Sequence, residues 1–217
     1  MKNKIKLVAF DLDGVLIDLC ESHKIALNKA LKEVSNYEIS DQRHNDTFNG
    51  LPTKVKLHIL SEENIVKTED IDKICELKQK YTVEEIQKFS TDWSKVRMME
   101  VLKDLDVKIA VVSNSIRSTV ELALKQIGIY EYVNLIVSNE DIAKPKPAPD
   151  GYRYAILLMG VSRDDTLLIE DSDVGFRAAL ETGANIIRVK DASEVTIETI
   201  NKYLGYDKTD DLFEGLK

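Results

Sequence analysis

The chain has 217 residues, 43% of them in the hydrophobic set and 31% charged. That composition excludes a disordered chain, a collagen and a disulfide-stapled miniprotein, and the length suits one core with a modest insertion. Thirty basic against 38 acidic residues give a net charge of −8, a poor balance for wrapping nucleic acid or coating an anionic membrane, although a local anion site is still allowed.

Lys6–Phe10 is a short apolar run ending in Asp11-Leu12-Asp13-Gly14. It predicts a buried parallel strand with polar groups at its carboxyl end. The apolar stretch before Asp11 is too short for a signal peptide or a membrane span, so a cytoplasmic protein is expected. Residues 18–92 contain no good strand. Leu27, Ala30, Leu31 and Val34 form one helical stripe, and Lys54–Leu60, Ile71–Lys80 and Thr82–Phe89 predict further helices. Cys20 and Cys75 read as buried fillers in a reducing compartment.

The strand rhythm resumes with Val107–Val112, Leu135–Val137, Thr166–Ile169 and Asn185–Val189. Helical patterns lie between: Val120 to Ile127 stopped by Gly128, Pro149 to Gly160, and Val174 to Leu180 closed by Gly183. A final helix and an acidic tail follow from Ser193. The pattern predicts an α/β fold: a doubly wound, Rossmann-like parallel sheet core over 1–17 and 93–217. An all-helical cap domain over 18–92 is inserted after the first strand.

Such sheets bind ligands beyond the carboxyl ends of their strands, and four polar segments fall there. Asp11 and Asp13 share a face of an extended chain. Two carboxylates so close call for a cation, and Mg2+ fits a site built from one or two carboxylates plus phosphate and water; the second acid can then hold a proton. Ser113 and the N–H groups after it offer an anion site at a helix start. The Lys144-Pro145-Lys146-Pro147-Ala148-Pro149-Asp150 loop is stiff, so a lysine there can aim at one place. Glu170-Asp171-Ser172 supplies a second acidic pair. Each segment also has a purely structural reading: turn or cap for the aspartates, helix cap for Ser113, solvated loop for the lysines, cap for the second pair.

The order and kind of these segments (DLDGVL at 11–16, Ser113, KPAPD at 146–150, EDS at 170–172) resemble the haloacid dehalogenase superfamily. The helical insertion is similar to the cap of its β-phosphoglucomutase and phosphoglycolate-phosphatase-like subgroup. The resemblance implies a nucleophile at Asp11 that forms an aspartyl-phosphate, and a general acid and base at Asp13. It implies a phosphoryl clamp at Ser113 with the Asn114 backbone. A lysine would brace Asp11: the family's spacing to an apolar or aromatic helix residue six positions on selects Lys146, before Tyr152, over Lys144. It further implies Mg2+ on Asp11, the Asp13 carbonyl oxygen and Asp171, with Glu170 nearby.

Asp13 argues for oxygen-ester phosphoryl chemistry, since dehalogenases and phosphonatases carry a non-acid there. His23, twelve residues after Asp11, and Lys54, in the Gly50-Leu51-Pro52-Thr53-Lys54 loop, are candidates for substrate contact from the cap. Ser94–Met98 stands where many relatives carry Pro-Gly on the return to the core. The leading expectation is therefore a magnesium-dependent phosphatase of a small phosphorylated metabolite, with a sugar phosphate as the expected substrate class, acting as a monomer or weak dimer. A sugar-phosphate mutase and a catalytically silent regulator are the alternatives.

Other chemistries lack their residues. There is no G-x-x-x-x-G-K-[ST], no G-x-G-x-x-G and no G-x-S-x-G around Ser113. The histidines at 23, 44 and 58 do not space as zinc ligands. Aromatics at 6%, without basic interleaving, argue against single-stranded nucleic acid.

Overall fold

The computed structural model describes residues 5–48 and 51–204. Strand β1 (Leu7–Phe10) is wholly buried. The helices α1 (Cys20–Ser35), α2 (Asp41–Arg43), α3 (Thr53–Glu62) and α4 (Ile71–Ile86) follow, with a π-helical turn at His44–Phe48 after α2. The chain then alternates: α5 (Trp93–Asp104), β2 (Lys108–Val112), α6 (Arg117–Gln126), β3 (Leu135–Val137), α7 (Asp150–Met159), β4 (Thr166–Glu170), α8 (Asp173–Leu180), β5 (Asn185–Arg188) and α9 (Ile197–Leu204). The acidic tail expected beyond the last helix lies outside the described residues, as does Gly50.

All five strands run parallel in the order β3-β2-β1-β4-β5. The chain winds outward from β1 to β3, then crosses back to lay β4 on the other side of β1. That reversal is the topological switch point, where doubly wound sheets open a crevice beyond the strand ends. Strands β1 and β4 are buried along their length, whereas edge strand β5 buries Ile187 and leaves both its ends, Asn185 and Arg188, exposed. Hence β1 and β4 read as continuous apolar runs. One sheet face packs Leu7, Ala9, Ala110, Val112 and Leu168 against Tyr152 and Ala155 of α7 and Ala178 and Ala179 of α8.

Contacts divide the chain into two compact units, one running to Asp18 and again from Ser90, the other Leu19–Phe89. The second has a core of its own, with Leu27, Ala30, Leu31, Phe48, Leu57, Leu60, Ile71 and Ile74 all buried. Two expectations need correction there. Ile71–Lys80 and Thr82–Phe89 are not two helices: α4 continues to Ile86. Tyr81 and Thr82 carry no breaker, and Thr82 is buried within the helix instead of capping a new one. Nor are the cysteines buried fillers. Cys20 is exposed and Cys75 half-buried, because Cys20 opens α1 ahead of its buried stripe. The helix α5 had no counterpart among the expected elements. Asp92 caps it by accepting from the Ser94 and Lys95 N–H groups.

Candidate active site

Strand register builds the site. Phe10 pairs with Ile169 of β4, and the Asp11 N–H donates to the Ile169 carbonyl at 3.0 Å. Asp11 and Glu170 therefore leave adjacent strands side by side. Phe10 also pairs with Val111 of β2, so Ser113 emerges two residues on at the same sheet edge. Ser172 caps α8 through the Gly175 N–H, which relieves Asp171 of that duty. Ligand atoms of Asp11, Glu170 and Asp171 all lie within 4.8 Å of one another.

Two glycines make room for this cluster. Gly14 has φ of +80°, which favours glycine, and a Cβ there would overlap the Asp171 carboxylate. A Cβ on Gly175 would overlap the Glu170 carboxylate.

Lys146 is buried, and all three of its ammonium protons have acceptors. Nζ donates to Asp11 Oδ1 at 2.7 Å, Glu170 Oε1 at 2.5 Å and the Tyr152 hydroxyl at 3.0 Å. Burial alone would lower its pKa, but Asp11 and Glu170 outweigh it, so the net shift is upward and the ammonium persists. Lys144 is exposed; the structure brings Lys146 to Asp11. The Lys146 backbone is held in turn by the Asn114 side chain, which accepts from its N–H at 2.9 Å and donates to its carbonyl at 3.0 Å.

Burial, then the Asp11 charge, push the Glu170 carboxyl upward, and the same two causes raise Asp171. Glu170 Oε2 and Asp171 Oδ1 are buried without a hydrogen-bond partner. Buried carboxylate oxygens left in this state carry a large desolvation cost unless a cation meets them. The donor set consists of hard oxygens only. Asp11, Glu170 and Asp171 therefore fit a divalent ion of the magnesium type. The Asp13 carboxylate lies outside this group; Asp13 is half-buried in a tight turn, where the Gly14 N–H donates to the Ile17 carbonyl at 2.8 Å.

Ser113 is buried, and its Oγ accepts from the Ser115 N–H at 3.1 Å. The expectation of a helix start directly after it is corrected. The helix α6 begins at Arg117, and the Arg117 N–H is already taken by Glu140 at 2.7 Å. Ser113 thus belongs to a strand-end turn and caps no helix.

The cap candidates belong to the helical unit. His23 lies on α1, half-buried, with Nδ1 accepting from Lys78 at 3.2 Å. Burial, then Lys78 and Lys56, lower its pKa to about 3, so the ring is neutral. Lys54 opens α3, exposed, and pairs with Asp72 at 3.3 Å. Sequence reasoning missed two groups, the Tyr152 hydroxyl and the Asn114 side chain. Tyr152 was visible only as an aromatic at the right spacing from Lys146, and Asn114 only through its backbone.

Parallel doubly wound topology with a lysine-braced acid cluster at the switch point defines the class as a Rossmann-like α/β protein. The chain belongs to the haloacid dehalogenase-like hydrolases, whose family model matches residues 8–189. It is 27% identical over 198 residues to the pyrophosphatase PpaX of Oceanobacillus iheyensis, covering 87% of each chain. It is 25% identical to a phosphoglycolate phosphatase of Aquifex aeolicus, covering 82% of each. Among solved structures, β-phosphoglucomutase of Clostridium difficile has the same fold, with a TM-score of 0.75 at 21% identity, covering 92% of this chain and 97% of that one.

Proposed function

We propose that this chain is a magnesium-dependent phosphatase of small phosphorylated metabolites, with sugar phosphates the preferred class. The observation that carries the reading is the joint placement of Lys146 and the two unpartnered carboxylate oxygens of Glu170 and Asp171 around Asp11. In the first step the Asp11 carboxylate attacks phosphorus and the ester P–O bond breaks. Asp13 gives its proton to the leaving oxygen, and Asp11 carries the phosphoryl group. In the second step Asp13, now a carboxylate, takes a proton from water. The water oxygen attacks phosphorus, the Asp11–phosphorus bond breaks and phosphate leaves. Lys146 holds Asp11 in orientation and offsets the charge that gathers there. The Ser113 hydroxyl and the Asn114 N–H hold phosphoryl oxygens. Asp11, the Asp13 carbonyl, Glu170 and Asp171 would hold Mg2+, which would supply charge neutralisation of the phosphoryl group.

His23 and Lys54 are assigned to substrate recognition from the cap, residues 18–92, inserted into a core of 1–17 and 93–217. The enzyme is read as cytoplasmic, and as a monomer or weak dimer. Among the described residues no helix is long and apolar enough to cross a membrane.

The test is phosphate release from an aryl phosphate and a metabolite panel. Release should require Mg2+, stop with a chelator and vanish in Asp11→Asn. Conversion of a sugar 1-phosphate to its 6-phosphate with little free phosphate would replace phosphatase by mutase. No turnover across the panel would leave a binding protein.

A further inference from the structure

Glu170 Oε1 already accepts two protons, one from Lys146 Nζ at 2.5 Å and one from the Tyr152 hydroxyl at 2.5 Å. A carboxylate oxygen has two lone-pair directions. Both of those on Oε1 are therefore used, and Oε2, fully buried and unpartnered, is the one atom Glu170 can offer to an ion. Tyr152 packs its ring in the sheet core and turns its hydroxyl to this cluster. It is completely buried in the sheet core, its hydroxyl accepts from Lys146 at 3.0 Å, and its one proton goes to Glu170. Gly175 packs closely against the Glu170 carboxylate, so the group has little room to rotate.

The two cations differ in what they ask of a carboxylate. Mg2+ takes a tight octahedron of single oxygens and keeps its waters. Ca2+ takes six to eight oxygens and uses bidentate carboxylates. We propose that the Tyr152 hydroxyl, by occupying Glu170 Oε1, makes Glu170 a strictly monodentate ligand and so sets the preference of the site for Mg2+ over Ca2+. This rests on the metal-dependent reading above. Tyr152 is a positioning residue: it acts through Glu170 and meets no substrate.

The experiment is calorimetric titration of the chelator-stripped full chain with MgCl2 and, separately, CaCl2, comparing the natural chain with Tyr152→Phe. The ring remains in the core and only the hydroxyl goes, which frees one lone pair on Oε1. Partners of metal ligands typically move metal affinity 10–100-fold when removed. The expected result is a fall of about tenfold in the ratio of Ca2+ to Mg2+ dissociation constants, with Ca2+ gaining relative to Mg2+. A role in packing alone would leave that ratio untouched. An unchanged ratio in a folded variant overturns the proposal and leaves metal dependence standing. Absence of saturable Mg2+ binding to the natural chain overturns both. If Tyr152→Phe does not fold, the metal-induced carboxylate infrared bands that the natural chain shows and Glu170→Gln lacks decide: a monodentate band with either ion supports the proposal, and a bidentate band with Ca2+ overturns it.

Discussion

Lys146 directs its three ammonium protons to Asp11, Glu170 and Tyr152, so removing that charge strands two carboxylates in the interior. Lys146→Met should cost about 3–5 kcal/mol in urea unfolding of the metal-free chain, since breaking a buried pair leaves an uncompensated charge. Asp11→Asn should instead leave the fold intact and lower turnover at least about 10³-fold, as the proposed nucleophilic role requires. A third residue carries a pH signature. Burial by itself would raise the Asp141 carboxyl, but hydrogen bonds from Arg117 and Ser138 outweigh it and hold it at about 2, below its ordinary 3.8. The folded value is depressed, so the stabilisation is complete above 3.8 and is lost as pH falls through 2. Asp141→Asn should therefore flatten the acid limb of the stability curve between those values. Its effect at neutral pH should be about 1 kcal/mol, because the side chain is partly in solvent.

At the scale of elements, the loop from Ser138 to Pro149 has no regular structure, yet it carries the brace. It is fastened at one end by Asp141 to Arg117 and Ser138, and at the other by Asn114 to the Lys146 backbone. Asn114→Ala should cost about 1–3 kcal/mol for two lost hydrogen bonds and lower kcat more than it raises KM, because it loosens the brace and not the substrate. The Gly175→Ala change at the first turn of α8 should destabilise by about 1–3 kcal/mol through overpacking against Glu170. These contacts explain what the sequence disclosed and what it hid. Strands buried on both faces must be apolar throughout, so β1, β2 and β4 were legible, and the acids ending β1 and β4 stood out against them. The strand order that makes Asp11 and Glu170 neighbours depends on pairing between segments about 160 residues apart, which periodicity does not encode. The length of α4 was misread because threonine favours helix caps over helix interiors, whereas Thr82 is buried mid-helix. Ser113 was expected at a helix start because the Ser113–Ser115 turn and a cap use the same residue types.

For the whole molecule, two separate apolar cores imply two partly independent melting events. The acid cluster belongs wholly to the sheet unit. Saturating Mg2+, at a hundred times its dissociation constant, should stabilise that unit by about 2.7 kcal/mol. Scanning calorimetry should then show the transition of the sheet unit moving upward and that of the helical unit Leu19–Phe89 staying in place. One transition shifting as a whole would mean that the two cores melt together.

The saturation of Lys146 also gives the amine a chemical fingerprint. A nitrogen whose three protons are all shared, and whose pKa has moved upward, has no lone pair to offer an electrophile. Acylating or carbamylating reagents should therefore mark the exposed Lys144 within minutes and leave Lys146, two residues away, unlabelled until the chain opens. Mass spectrometry of that single peptide would then report the intactness of the acid cluster around Lys146 without a substrate.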